Sequence, residues 1–171
     1  MDWQKHYESR RLGPEAAAAL VKPGMRVHFP LAASMVMQRA LCARAEQIGG
    51  AIDLRLSAPL GDAGWLGRDL SAIFRIEFEF FIGNIARPAH DRHLGSYLPN
   101  LLSTSFKPHD ERPAEDKPVD ITFVETTPPN AQGFVSFGPH QWNKRLYARR
   151  ARIAVALTDA TLIRTHGDVY L

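Results

Sequence analysis

Two histidines in the segment HDRH, residues 90–93, are the first side chains whose spacing suggests chemistry. On a helix, residues three apart share a face, so His90 and His93 could bind a transition metal if a third ligand joined them. No other residue of a ligating type stands at a ligand spacing from this pair. An exposed polar helix face explains the segment without a ligand, and we therefore predict no metal site.

A basic cluster, KRLYARRAR at residues 144–152, could grip phosphates or another anionic group. At helical spacing Arg145 and Arg149 share one face, and Leu146 is expected to belong to the core. This pattern is typical of a solvated helix face. The net charge of +3, from 21 basic and 18 acidic residues, is too small to indicate nucleic acid. We predict no nucleic-acid partner, and keep a non-enzymatic anion- or nucleotide-binding module as an alternative function.

Two further positions combine charge with a strand-like context. Glu125 ends an apolar run beside Thr126 and Thr127, and open parallel sheets carry functional groups at the carboxyl edge. It is either a site residue or an ordinary strand-end residue. His166 and Asp168 stand two apart, and in an extended segment such residues point to one side without touching. We expect them to belong to a turn rather than to a catalytic pair.

Composition indicates one soluble domain spanning residues 1–171, because this length is ordinary for a domain and 45% of the residues are hydrophobic. No apolar run approaches the roughly 20 residues of a membrane helix, and residues 1–10 lack the apolar stretch of a signal peptide. The single cysteine, Cys42, cannot form an internal disulfide. These features predict a cytoplasmic protein with no membrane partner.

Apolar periodicity predicts the elements and the fold class. Residues 73–83 alternate apolar and charged side chains with a period of two, as a strand does, and residues 51–58 alternate with one wetter face. Residues 119–125 and 151–157 are nearly all apolar, which is typical of strands buried on both faces. Such strands alternate with helical patterns, which predicts an α/β fold with a mostly parallel sheet covered by helices. The predicted strands are 24–30, 51–58, 73–83, 119–125 and 151–157, and the predicted helices are 13–21, 34–48, 86–94 and 140–150.

Three consecutive blocks resemble one known family. In VDITFVETTPPNAQGFVSFG, residues 119–138, an Asp opens an apolar strand, two prolines follow, and a Gly-aromatic-x-Ser-x-Gly run closes the turn. The blocks at 80–103 and 151–168 continue the similarity. The chain resembles the N-terminal half of the acetyl-CoA hydrolase/transferase family, the class I CoA-transferases that include 4-hydroxybutyrate CoA-transferase. The matching positions are Asp120, Pro128, Pro129, Gly133, Phe134, Ser136 and Gly138 in the first block, and Phe80, Phe81, Gly83, Arg87, Ala89, Tyr97, Pro99, Leu102 and Ser103 in the second.

The resemblance implies a CoA-transferase-like N-terminal domain that contributes one wall of an acyl and carboxylate pocket. In the family a glutamate attacks the acyl-CoA thioester. That residue belongs to the C-terminal half, so we expect no catalytic residue here, no activity from the chain alone, and a second subunit that supplies it in a hetero-oligomer. Coenzyme A and acyl-CoA are implied as substrates, with no permanently bound cofactor. The expected substrate-binding residues lie at strand ends, namely Ser57, Gly83, Asn84 and Arg87. Ser57 and Asn84 could instead be turn residues, and Arg87 could cap its helix or form a salt bridge within it.

Several departures from the family pattern leave the chemistry open. After the first strand the family has a glycine-rich turn, whereas this chain reads HFPLAASMVMQRAL. Asn130, Gln132, Asp159 and Ile163 also stand where the family commonly has other residues. A related enzyme of the same fold with changed chemistry, for example a decarboxylase acting on an acyl-CoA, therefore remains an alternative to CoA transfer.

Overall fold

A single parallel sheet organises the chain. The computed structural model describes residues 2–31, 33–81, 84–99, 101, 103 and 117–167. Within them six strands, all parallel, lie in the order β4-β3-β2-β1-β5-β6, which confirms the predicted α/β class. The strands are β1 (Arg26–Phe29), β2 (Ile52–Leu56), β3 (Phe74–Phe78), β4 (Gly95–Tyr97), β5 (Ile121–Thr126) and β6 (Ile153–Thr158). The helices are α1 (Trp3–Ser9), α2 (Pro14–Ala18), α3 (Met35–Ala43), α4 (Ala86–Asp91) and α5 (Lys144–Arg150), with a 3-10 turn at Ala45–Gln47.

One face of the sheet is apolar and carries the main core. Successive strand residues point to opposite faces, so the alternate residues of β1, β2, β3 and β5 line up on this side. Helices α2, α3 and α4 cover it, together with Trp65 from the β2–β3 connection, whose ring meets Phe74 edge-on at 5.1 Å. The strand residues of this core are Val27, Phe29, Ile52, Leu54, Leu56, Phe74, Ile76, Phe78, Ile121 and Phe123.

Local sequence sets the position of α3 on this face. Ser34 caps the helix by accepting a hydrogen bond from the backbone N–H of Val36 at 3.1 Å, as an N-cap serine does. Gln38, which is fully buried, donates to the Ala33 carbonyl and accepts from the indole N–H of Trp65. The core therefore contains one polar residue whose hydrogen bonds are made by its neighbours.

The opposite face of the sheet is polar yet partly buried. His28, Ser57 and Glu79 come from β1 and from the ends of β2 and β3, and all three are almost fully buried. The Ser57 hydroxyl donates to Glu79 Oε2, because an ionised carboxylate can only accept. The Ser57 oxygen then accepts from His28 Nε2 at 3.1 Å, and His28 Nδ1 lies 3.1 Å from the Thr122 hydroxyl. A continuous polar chain thus joins strands β5, β1, β2 and β3.

Helix α5 covers this polar chain. The Tyr147 ring stacks on His28 with 3.6 Å between ring centroids, and its hydroxyl donates to Glu79 Oε1 at 3.3 Å. Burial raises the pKa of the Tyr147 phenol and the Glu79 charge raises it further, so the hydroxyl stays protonated as a donor. Arg55 completes the group, 3.8 Å from Glu79 and 3.3 Å from Glu77. Burial alone would lower the pKa of Arg55, but Tyr147 and the two carboxylates outweigh it and the pKa is raised.

Three sequence-based expectations are corrected here. The wetter face predicted for residues 51–58 is buried, because Arg55 and Ser57 find polar partners on neighbouring elements instead of water. The run 151–157 is not buried on both faces, since β6 is the edge strand of the described sheet and its alternate residues are exposed. Leu146 is 40% exposed rather than part of the core. No helix in the described residues is both long and apolar enough to span a bilayer.

Gly95→Ala tests the close approach of β4 to β3. A Cβ at Gly95 would lie 2.7 Å from the buried Phe78 ring and 3.3 Å from the Ile76 carbonyl oxygen. Neither group can move without disturbing the sheet, so we expect unfolding to become easier by about 1–3 kcal/mol. The measurement is urea unfolding followed by circular dichroism. Gly67→Ala is the matched control, since the nearest atom to its Cβ would be the Gly64 carbonyl oxygen at 3.8 Å, and equal losses in both variants would contradict the interpretation.

Glu79→Gln tests the buried charge network. Removing this charge leaves the buried Arg55 guanidinium short of one counter-charge, and we expect a loss of about 3 kcal/mol of unfolding free energy. Glu77→Gln removes the other carboxylate, whose side chain is 35% exposed, and should cost less than about 1 kcal/mol. Urea midpoints of the two variants give the comparison, and indistinguishable midpoints would show that burial does not decide the effect.

Candidate functional site

The sheet has a topological switch point between β1 and β5. From β1 the strand order runs outward through β2, β3 and β4, and from β5 it runs the other way to β6. His28 pairs with Thr122, so β1 ends one residue beyond this pair whereas β5 continues to Thr126. A crevice outside the carboxyl ends of strands at such a point is the usual ligand position in open α/β sheets. This carboxyl edge is therefore the candidate site.

Arg87 is the predicted site residue with the clearest chemical capacity. It is exposed near the start of α4, and its guanidinium carbon lies 5.1 Å from the centroid of the Phe81 ring. Stacking on an aromatic face holds the cation without using its N–H donors. Among the described residues no carboxylate lies within ion-pair distance of Arg87, so the alternative of a salt bridge inside its helix is not what the structure gives. The planar donor fork can accept a carboxylate from outside.

The other predicted residues fall in different environments. Asn84 is exposed immediately before α4, close in sequence to Arg87. Gly83 lies outside the described residues. Ser57 is fully buried, so it lies beneath the edge and presents no surface there. Its hydroxyl stands between His28 and Glu79, whereas an activated serine nucleophile needs the histidine between itself and the carboxylate.

Aromatic side chains line the edge around Arg87. Besides holding the guanidinium, the Phe81 ring lies 5.3 Å from the Tyr97 ring and 5.6 Å from the His90 ring. The Phe80 ring, one residue earlier, contacts Trp142 from the segment before α5 at 5.1 Å. These rings come from the ends of β3 and β4 and from the approach to α5, so they form an apolar border along the carboxyl edge.

The HDRH segment does not present two histidines on one helix face. Helix α4 ends at Asp91, and His93 has a positive φ of 56°. Both residues line an open depression beside β3 and the edge strand β4, which also includes Tyr97 and Glu77. The depression contains none of the four predicted substrate residues. In the part of the chain that the structure describes, no three His, Cys, Asp or Glu side chains are grouped to hold a metal ion.

The basic cluster at 144–152 is divided between different environments. Lys144 is 1% exposed, Arg149 and Arg150 are exposed, and Arg152 forms an ion pair with Asp120 at 3.3 Å. It is therefore not one continuous basic surface. Sequence reasoning treated Lys144 as solvated, and the signal that could have corrected this is its spacing of three from Tyr147, which places both on the buried side of α5.

Glu125 lies near the end of β5 and is half-buried. Burial raises the pKa of its carboxyl and Asp159 adds to this, while Lys144 and His140 oppose the shift. Thr126 and Thr127 beside it are buried. His166 is exposed, and Asp168 lies outside the described residues, so the interpretation of the C-terminal pair stays a prediction.

Comparison with solved structures gives the same fold. RipA from Yersinia pestis is similar with a TM-score of 0.83 and 17% identity, covering 100% of this chain and 42% of RipA. A 4-hydroxybutyrate CoA-transferase from Porphyromonas gingivalis is similar with a TM-score of 0.68 and 18% identity, covering 99% of this chain and 38% of the transferase. At these identities the likeness is one of fold. The chain spans well under half the length of either protein.

Comparison of the amino-acid sequence with curated proteins and with family models identifies the family. None of the curated proteins matches the chain. The family model described as the acetyl-CoA hydrolase/transferase N-terminal domain matches residues 1–171, which is the whole sequence. The three blocks that resembled this family lie within that match, and the sheet and its helices have the fold of such domains. The chain belongs to the acetyl-CoA hydrolase/transferase family and corresponds to its N-terminal domain.

Proposed function

We propose that this chain is the N-terminal part of a CoA-transferase that moves CoA between an acyl-CoA and a short carboxylate. A separate C-terminal half or subunit supplies the nucleophilic glutamate, and the two parts form a hetero-oligomeric enzyme in the cytoplasm. The chain alone is inactive in this proposal. The observation that carries it, beside the family membership, is the Arg87 guanidinium on the aromatic border of the carboxyl edge, which has no carboxylate partner among the described residues.

The proposed reaction divides one exchange into easier steps. The glutamate of the C-terminal half attacks the thioester carbonyl, which forms an acyl-glutamyl anhydride and releases the CoA thiolate. The thiolate attacks the glutamyl carbonyl of the anhydride, which forms a glutamyl-CoA thioester and releases the first carboxylate. A second carboxylate then attacks this thioester and receives the CoA by the reverse sequence. Backbone N–H donors at the site would stabilise the oxyanion that develops in each step.

Arg87 is proposed to bind the carboxylate that enters or leaves. Its five N–H donors are arranged in a plane that matches both carboxylate oxygens, and the contact with the Phe81 ring consumes none of them. Tyr97, which is 38% exposed, and Phe81 would contact the short carbon chain of the acid. A cation beside an apolar border suits a small molecule with a charged end and an apolar end.

The remaining predicted residues are proposed to contact the substrate or to position other side chains. Asn84 is exposed beside α4, where its amide could hydrogen-bond the acyl-CoA, and Gly83 would let backbone approach the substrate closely. Ser57 is a positioning residue, because its hydroxyl joins the end of β2 to Glu79 and His28. No permanently bound cofactor enters the proposal, and coenzyme A takes part as substrate.

Reconstitution tests the two-part enzyme. The chain is expressed alone and together with the protein encoded next to it, and the transfer of CoA from acetyl-CoA to butyrate is followed by chromatography. We expect copurification in equal amounts and transfer only in the mixture, because the nucleophile is proposed to lie in the other part. Full transfer by this chain alone would refute the proposal. Consumption of acyl-CoA by the mixture without transfer would favour the changed chemistry of a decarboxylase-like relative.

Arg87→Met tests the carboxylate partner in the reconstituted enzyme. A charge-assisted hydrogen bond is worth about 1.5–3 kcal/mol, so we expect the apparent affinity for butyrate to fall roughly tenfold to hundredfold. The KM for butyrate measures the effect. Arg39→Met, which removes an exposed arginine from α3, is the control and should leave this KM unchanged. An unchanged KM in both variants would exclude Arg87 from carboxylate binding.

A further inference from the structure

Helix α5, which follows β5 in the chain, begins with a buried lysine that no described carboxylate neutralises by an ion pair. Lys144 is 1% exposed, and among the described residues its ammonium forms no ion pair with a carboxylate. A buried ammonium is costly unless it is paired. Burial accordingly lowers the pKa of Lys144, and only the more distant Glu125 acts in the other direction.

A second buried polar group lacks a partner at the end of the same strand. Thr126 is 1% exposed, and its hydroxyl oxygen has no hydrogen-bond partner in the described structure. Such orphaned groups are uncommon in native proteins, and one explanation is an absent ligand. A threonine hydroxyl donates one hydrogen bond, so it can bind an anion beside a cation.

The course of the chain directs these two groups towards the same end of the sheet. Val124 and Ala148 belong to one buried cluster, so α5 packs against the face of β5 that carries Val124. Helix α5 runs opposite to β5, because it leads from the carboxyl end of β5 to the start of the parallel strand β6. Lys144 lies one helical turn from Ala148, and Thr126 lies two strand residues from Val124. Both steps are about 6 Å towards the carboxyl edge.

We propose that Lys144 and Thr126 form a binding subsite for a small carboxylate at the switch point between β1 and β5. The lysine supplies the charge and the threonine supplies a directional hydrogen bond. β5 extends past β1 at this point, so the subsite opens towards the crevice where α/β sheets bind ligands. That this carboxylate is the acid of the CoA-transfer reaction rests on the proposed function, whereas the subsite itself rests only on the geometry of β5 and α5.

Glu125 provides the competing explanation. Its charge interacts with Lys144 from beyond ion-pair distance, so the lysine could serve only as a distant counter-charge. The two explanations predict different effects on stability when Lys144 and Thr126 are substituted. If both groups await a ligand, Lys144→Met and Thr126→Val lose anion binding and gain stability, because the first removes a buried charge that has no ion pair in the described residues and the second removes a buried hydroxyl that has no hydrogen-bond partner there. If Lys144 mainly balances Glu125, Lys144→Met destabilises the chain.

The test is a titration of the whole chain with sodium acetate, followed by ¹H–¹⁵N NMR, with sodium chloride as the control for ionic strength. We expect saturable shifts confined to residues 124–127 and 144–148. The acetate affinity should fall at least tenfold in Lys144→Met and in Thr126→Val, while the urea midpoint of each variant stays level or rises. Arg149→Met removes an exposed cation from the same helix and should bind acetate as the parent does.

Three results would overturn the inference. They are the absence of saturable acetate binding by the parent chain, an unchanged acetate affinity in Lys144→Met or in Thr126→Val, and a lowered urea midpoint in Lys144→Met. Tighter binding of inorganic phosphate than of acetate would overturn the assignment to a carboxylate. Because this titration needs no CoA and no second subunit, acetate binding without CoA transfer in the reconstituted enzyme would retain the subsite and reject the proposed function.

Discussion

The buried carboxylate of Glu79 is the constraint on which the polar side of the sheet depends. A carboxylate removed from water must receive hydrogen bonds and counter-charge from the protein. The hydroxyls of Ser57 and Tyr147 donate to it, and Arg55 provides the nearest positive charge. These groups come from β2 and α5, so satisfying one charge fixes how the helix lies over the strands.

That constraint also determines what reaches the carboxyl edge. With Tyr147 held between His28 and Glu79, Lys144 on the preceding turn of α5 is carried inwards to the end of β5. Arg87 arrives at the edge by a different route, from a helix whose buried alanines belong to the apolar face. The two faces of the sheet therefore have different roles, since one forms the packed core and the other orders the polar groups around the candidate site.

The sequence was sufficient for the elements whose burial follows from local pattern. The period of two around Ile76 predicted β3, and Ser34 predicted the start of α3. It was insufficient where burial depends on a distant partner. Alternation marks Arg55 as polar, but it cannot tell whether water or a carboxylate on the next strand will meet the guanidinium. The burial of β6 was also mispredicted, because the apolar pattern of a strand does not show whether it lies in the middle or at the edge of the sheet.

For the candidate site, local pattern was likewise informative only about residues next to a strand end. Asn84 and Arg87 follow a recognisable strand end, and the structure places both on the surface at the carboxyl edge. Lys144 was hidden in a run of basic residues, where a charge pattern gives no indication of which member faces inwards. The rotation of α5 decides that, and it follows from the contact between Tyr147 and the distant residue His28.

The pairing of β1 with β5 has a consequence for the order in which the chain folds. Strands β1 to β4 follow one another in sequence, whereas the hydrogen bond between His28 and Thr122 closes a separation of 94 residues. Contacts over such distances form slowly, because the loop entropy is lost before the contact is gained. We expect the seam between β1 and β5 to close late in folding and to open early in unfolding. The crevice at the switch point would then be the last part of the domain to become ordered.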